Sequence, residues 1–157
     1  MYITAQGQKQ GTFKGDDAGK DKGRIALTAF AMDVLSPRDA SSGLPSGKRQ
    51  YKPIMVRKEI GASSPQFLQA MATNEVLTSV LIEFLSSNAA GLATLDYRVE
   101  LTNAIVSEFK QSIDTAAAGG PPIDTRRLEE IQFVFQRITV SDPPGKTAFS
   151  DDWTLVP

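Results

Sequence analysis

The chain of 157 residues contains no cysteine and no histidine. Without cysteine there are no disulfides, no thiolate nucleophile and no Cys-ligated zinc or iron–sulfur site. Without histidine there is no Ser-His-Asp triad, no imidazole-ligated metal and no general base of the usual kind near neutral pH. An excess of charge of one sign is missing too. Seventeen basic residues stand against eighteen acidic ones, a formal net charge of −1. Nothing here is built to follow a phosphate backbone, so nucleic-acid binding is not expected. Near-neutrality instead permits self-association, which a large net charge opposes. No apolar run reaches the roughly 18–20 residues needed to cross a bilayer. The opening MYITAQGQKQ lacks the basic segment and apolar core of a Sec signal. These absences predict a protein made in the cytoplasm, without membrane insertion, whose export would need a dedicated machine.

What is present is an ordinary globular mixture, 41% hydrophobic and 22% charged, in a chain long enough for one domain over 1–157. Residues 2–5 form a short strand candidate, and GTFKGDDAGKDKG (11–23) reads as a Gly-punctuated loop or loose hairpin. Residues 24–35 (RIALTAFAMDVL) read as a long strand stopped at Ser36-Pro37. A loop rich in Ser, Gly and Pro then covers 36–49. Residues 50–60 read as a strand that Pro53 confines to an edge or bulge. Ser64 is a candidate N-cap with Pro65 opening a short helix, in which Phe67, Leu68 and Met71 share one face. Residues 76–85 and 93–109 form two hairpin arms, the second alternating Leu95, Tyr97, Val99 and Leu101 with polar neighbours. A flexible AAAGGPP connection (116–122) leads to a strand over 130–140, and a last strand over 146–156 carries Trp153. The expected class is mainly β: an antiparallel barrel or two-sheet sandwich with one short flanking α-helix.

Catalytic and ligand motifs fail one by one. GLPSGKR (43–49) has three residues between its glycines where a phosphate loop has four, and Arg49 stands where Ser or Thr should hold a metal. GDDAGKDKG lacks the twelfth-position glutamate of a calcium loop. The pairs Glu129-Glu130 and Asp151-Asp152 point to opposite faces of a strand and do not converge. Ser63 and Ser64 stand where a strand-like run turns into a helix, as a nucleophile elbow does. GASSP does not fit G-x-S-x-G, however, and Lys58 is the one base nearby in sequence. Helix capping accounts for both serines.

One pattern does not suit a monomer. In 24–35, Ile25, Leu27 and Leu35 oppose Phe30, Met32 and Val34. In 76–85, Val80, Ile82 and Phe84 oppose Leu77, Leu81 and Leu85. Strands of a monomeric barrel should be polar outside. A nine-residue helix of about 14 Å cannot cover a strand of about 40 Å. A neighbouring subunit is expected there, with Phe30, Met32 and Val34 as the candidate interface face; the alternatives are a strand shorter than 24–35, or Ala-rich stretches that tolerate water.

The order of these pieces resembles a known family. ASSPQFLQAMATN (62–74), preceded by a charged strand and followed by an apolar one, is similar to the A-S/T-P-x-L-x-x-A-x-A-T-G segment of the Hcp family, the tail-tube subunits of bacterial type VI secretion systems. The K-G-x-I run (22–25), the Gly/Ser-rich loop before an aromatic-bearing strand (41–51), EEIQFVFQRI and the ending DDWTLV fit the same order. Asn74 replaces the usual glycine, the family's early histidine is missing near Asp21, and AAAGGPPIDTRR is unusual. These departures leave the lineage open, including related extracellular contractile injection systems. The resemblance implies a barrel with a flanking helix, assembled as homohexameric rings that stack into a hollow tube. It implies a spike protein, a contractile sheath and effector cargo as partners, and no cofactor. No extension follows the last strand, so no fused effector domain is expected. The loop 37–49 would reach the adjacent ring, with Arg38, Asp39, Leu44, Lys48 and Arg49 as contact candidates. Two other classes stay open at this point. One is a monomeric β-barrel binding a small apolar ligand; the other is a hydrolase built on converging carboxylates or a Ser–Lys pair.

Overall fold

Alternation decides the first strand, β1 (Tyr2–Gly7), where Ile3, Ala5 and Gly7 are buried and their neighbours face outward. The computed structural model describes residues 1–15, 23–87, 91–112 and 127–153. After β1 come β2 (Gly11–Thr12), β3 (Ile25–Ala26), β4 (Ala29–Ala31), β5 (Val34–Leu35), β6 (Gln50–Tyr51) and β7 (Ile54–Glu59). The helix α1 (Ser64–Ala72) follows. Then come β8 (Leu77–Ser87), β9 (Ala93–Ser112), β10 (Leu128–Val134), β11 (Arg137–Asp142) and β12 (Thr147–Asp152). Residues 16–22 of the loop expected over 11–23, and the whole connection expected over 116–122, lie outside the described residues.

All strand pairings among the described residues are antiparallel. One sheet runs β1–β8–β9–β11–β12, with β2 and β3 sharing the other edge of β1. The second runs β9–β10–β7–β4. The long strand β9 therefore belongs to both, and it changes sheet at Asn103. There φ is +50°, and the buried phase switches from Val99 and Leu101 to Ala104 and Val106. An extra residue in a twisted strand turns such a corner. Asn103 Nδ2 donates to Gln136 Oε1 at 2.8 Å, which places the β10–β11 break beside that corner. The single strand expected over 130–140 is thus two strands, one in each sheet.

The strand expected over 24–35 is likewise corrected. Thr28 donates both its backbone N–H and its hydroxyl to the Arg57 carbonyl, at 2.8 and 3.1 Å, and bends the chain. Ile25–Ala26 pairs with β1, and Ala29–Ala31 pairs with β7. This segment laces the two sheets on the side opposite β9. The hydrogen-bond ladder stops between β3 and β4, so the barrel is not closed. Without a twelve-residue strand over 24–35, the long uncovered face expected of that segment does not exist. Phe30 turns inward and meets Phe84 edge-on at 5.2 Å. Met32 and Val34 are exposed, as is Leu35. In β8, a bulge opposite Gln6–Gly7 puts Leu77 on the buried side with Val80 and Ile82, leaving Leu81 and Leu85 half-buried outside.

The interior is filled with side chains. Ile3, Ile82, Val99, Leu101 and Ile138 of one sheet meet Ile54, Val56, Ile131 and Phe133 of the other, all fully buried. At about 1.5–3 kcal/mol for each large apolar side chain, this set dominates the folding free energy. Phe67 of α1 docks between Phe13 and Phe133, with ring centroids 4.8 and 6.1 Å away. Leu68, expected on that face, is 50% exposed. The docking face is Ser64, Phe67 and Ala70, spaced i, i+3, i+6, with Met71 partly buried beside it.

Candidate functional site

The two ends of α1 are built differently from each other. Ser63, not Ser64, occupies the N-cap position, and Pro65 is the second helical residue. Ser63 has helical φ and ψ of −80° and −16°, so its hydroxyl does not cap the helix; it is buried without a hydrogen-bond partner among the described residues. Ser64 Oγ instead accepts from Gly61 N–H at 2.9 Å. At the other end Asn74 takes φ +50°, as its sequence position predicts. Glu75 N–H bonds the Ala70 carbonyl and Asn74 N–H that of Met71, closing a Schellman turn.

The serine elbow is answered by what surrounds it. Lys58 Nζ does lie 3.4 Å from Ser64 Oγ, but it donates at 2.9 Å to Glu129 Oε1 and at 2.6 Å to the Glu59 carbonyl. Gln111 Nε2 holds the second Glu129 oxygen at 3.0 Å. Lys58 and Glu129 face each other across β7 and β10 with fully buried side chains. An ammonium committed to a carboxylate is no base for a hydroxyl. Ser64 is itself buried. The Lys–Ser pair is one corner of an internal ion-pair network that ties α1 to the second sheet.

A second cluster was not visible in the sequence. Glu75, immediately after α1, is buried, and its Oε1 accepts from the backbone N–H groups of Lys9 and Gln10 at 2.7 and 2.8 Å. Gln10 Nε2 donates to Oε2 at 2.9 Å and to the Gln66 carbonyl at 3.1 Å. Burial pushes this carboxyl up, but the Gln10 and Lys9 donors together hold it below the ordinary carboxylate value. No local motif announces a contact between residues 66 positions apart.

The most distinctive surface is the arm over 34–51. β5 pairs with β6, and Arg38 bridges Pro45. Its tip is folded by Asp39, whose Oδ1 accepts from the backbone and hydroxyl of both Ser41 and Ser42. These donors, the Ser41 hydroxyl foremost, hold the Asp39 carboxyl far below its usual range. Arg38 Nη1 donates to the Gly43 carbonyl at 3.1 Å, and Gly43 sits at φ +69°, a conformation that favours glycine. The result is an ordered hairpin whose side chains face solvent, with Leu44 66% exposed at its end and Lys48 beyond it.

The base of the arm is clamped to β12. Arg49 makes a two-pronged ion pair with the nearly buried Asp151, and Tyr51 Oη donates to Asp151 Oδ2 at 2.8 Å. Arg49, then Tyr51, hold the Asp151 carboxyl below its ordinary value against the opposing effect of burial. Burial first, and then the same carboxylate, push the Tyr51 phenol up. The Tyr51 ring packs on Phe135 and Trp153 at 5.4 and 5.7 Å. Of the five arm residues singled out from sequence, Arg38, Asp39 and Arg49 are therefore engaged within the subunit. Leu44 and Lys48 face outward. Beside the arm, Phe149 ends the inward-facing row Ile3–Ile82–Val99–Val140 yet is exposed, over a shallow cleft of about 220 Å³ shared with Tyr97 and Val140.

Residues 2–141 match the family described as "Type VI secretion system effector, Hcp". The chain belongs to the Hcp family. A relative from Pseudomonas aeruginosa (strain PAO1), "Major exported protein", is 31% identical and is matched over 97% of this chain and 94% of its own. The fold is that of solved Hcp proteins. Hcp1 from E. coli EAEC 042 superposes with a TM-score of 0.83 at 24% identity, over 97% of both chains. The secreted protein Hcp3 from Pseudomonas aeruginosa gives 0.76 at 25%, over 97% of this chain and 98% of its own. This Hcp chain is thus a type VI secretion tube and effector protein. The family match also sets aside the ligand-binding barrel, whose interior would have to be hollow where this one is packed.

Proposed function

We propose that this chain is a structural subunit without catalytic activity, six copies of which form a ring, and that the rings stack into the hollow tube of a type VI secretion system. The carrying observation is the arm. A hairpin with a dedicated internal fold, clamped at its base, carrying exposed Val34, Leu35 and Leu44 and preceded by exposed Met32, makes little use of its outer surface within one subunit. Exposed apolar side chains on an ordered projection suit a contact with a neighbouring copy. Leu44 and Lys48 are the residues that meet the adjacent ring, while Met32 and Val34 pack between copies. Phe30 is left out of that surface because it is turned into the barrel. The tube travels outward, pushed by a sheath, capped by a spike and carrying effector proteins in its lumen.

Imaging the purified protein tests this reading. Rings with a solution mass near six subunits are expected, and a strictly monomeric species across micromolar concentrations refutes it. Deleting residues 41–47 is expected to abolish stacking while the subunit stays folded; unchanged tubes would remove the arm from the contact.

A further inference from the structure

The turn between β1 and β2 is shaped as a receptor for a carboxylate, and the carboxylate in it belongs to the same chain. Two successive backbone N–H groups, of Lys9 and Gln10, converge on one oxygen of Glu75, and the Gln10 side chain takes the other. Consecutive N–H groups form an anion-binding concavity. The fit is tight. A Cβ on Gly7 would stand 2.6 Å from Glu75 Oε1 and 3.1 Å from the Phe13 ring, so Gly7 is what lets the carboxylate in. Gln8 N–H to the Val76 carbonyl, Gln10 to the Gln66 carbonyl, and Lys14 N–H to Gln66 Oε1 extend the same seam along α1. Behind it lies the Phe13–Phe67 contact that seats the helix.

We infer that Glu75 is a proton-released latch that fastens the β1–β2 turn to the end of α1, so that acid frees the turn before the barrel opens. Protonation removes the charge on which three N–H groups converge and leaves a carboxylic acid with fewer acceptor sites. The charged groups around it set how far the pH must fall, since a neighbouring cation favours the anion and resists protonation. Lys9 and Lys14 are the charged side chains of the hairpin, with Lys9 adding attraction to the anion, and α1 itself (SPQFLQAMA) carries none. The folded-state carboxyl sits below its unfolded value, so the latch is fully closed above the ordinary carboxylate range. It opens as pH falls through the lowered value.

Amide hydrogen exchange on the intact protein reads the latch directly. Protection of the Lys9 and Gln10 amides, corrected for the pH dependence of intrinsic exchange, is expected to fall about ten- to a hundredfold on acidification. Val80 and Ile82 in the barrel should keep theirs over the same range. Glu75→Gln should show the low value at neutral pH and no further acid step. Gly7→Ala, which crowds the carboxylate out, should do the same. Wild-type protection at Lys9 and Gln10 that is unchanged by acid, or lost together with that of Val80 and Ile82, overturns the latch. So does a Glu75→Gln protein whose turn is as protected as the wild type. Should either variant fail to fold, the wild-type titration alone decides.

Discussion

The barrel and the arm are two solutions to ordering a chain. In the barrel, order comes from apolar burial: Phe133 and its neighbours are removed from water, and the buried Lys58 and Glu129 pair with each other. In the arm, order comes from hydrogen bonds to Asp39 at the tip and from an Arg–Asp–Tyr clamp at the root, with almost no apolar burial between. The first region folds for itself. The second is shaped within the subunit while its outer surface is left to a neighbour. Changes in the barrel should therefore register in subunit stability, and changes in the arm should register in assembly.

The sharpest break is in the barrel. Phe133→Ala is expected to lower the unfolding free energy by about 3–5 kcal/mol, read from denaturant midpoints. Glu129→Gln should be comparably costly, about 3–5 kcal/mol, because it strands the buried Lys58 ammonium. Lys58→Met combined with Glu129→Leu should recover most of that loss; if it does not, the pair is doing more than satisfying itself. Asp151→Asn tests the hinge between the regions. A smaller drop in melting temperature is expected at neutral pH, with faster proteolysis of the arm. The wild-type carboxyl is held below its ordinary value, so its contribution is present above that value and lost as pH falls through the lowered one. The gap between wild type and Asp151→Asn should close in acid. Leu44→Ser should leave subunit stability within about 0.5 kcal/mol. It should nevertheless weaken ring stacking in sedimentation or negative-stain counts, and a stability loss like that of Phe133→Ala would erase the distinction between the regions.

Much of the barrel was legible because it obeys local periodicity. The alternation of Leu95, Tyr97, Val99 and Leu101 marked β9, and the SSP run with Asn74 marked both ends of α1 to within a residue. The strand errors share one cause. At Thr28, at the bulge in β8 and at Asn103, one bent or extra residue shifts which side chains face inward, and a period counted through such a point inverts. That is why Leu77 was placed outside and 24–35 was drawn as one strand. Leu68 was assigned to the docking face because spacing defines a helix face only relative to whatever the helix packs against. The arm was recognisable as a long polar loop, but nothing in SPRDASSGLPSGKR shows that Asp39 and Arg49 are used within the subunit while Leu44 is not.

The sequence by itself determined the absence of cysteine and histidine chemistry, the β-rich class, the short helix with its left-handed exit and membership of the Hcp family. These follow from composition, from contacts between near neighbours, and from the order of short motifs. Only the tertiary structure decided that Lys58 meets Glu129 across 71 positions, that Glu75 fills the β1–β2 turn, and that Asp151 roots the arm. Each of those partnerships is set by which strands lie side by side. The sheet change at Asn103 and the bend at Thr28 help set that arrangement, and neither lies near in sequence to most of the residues that end up touching.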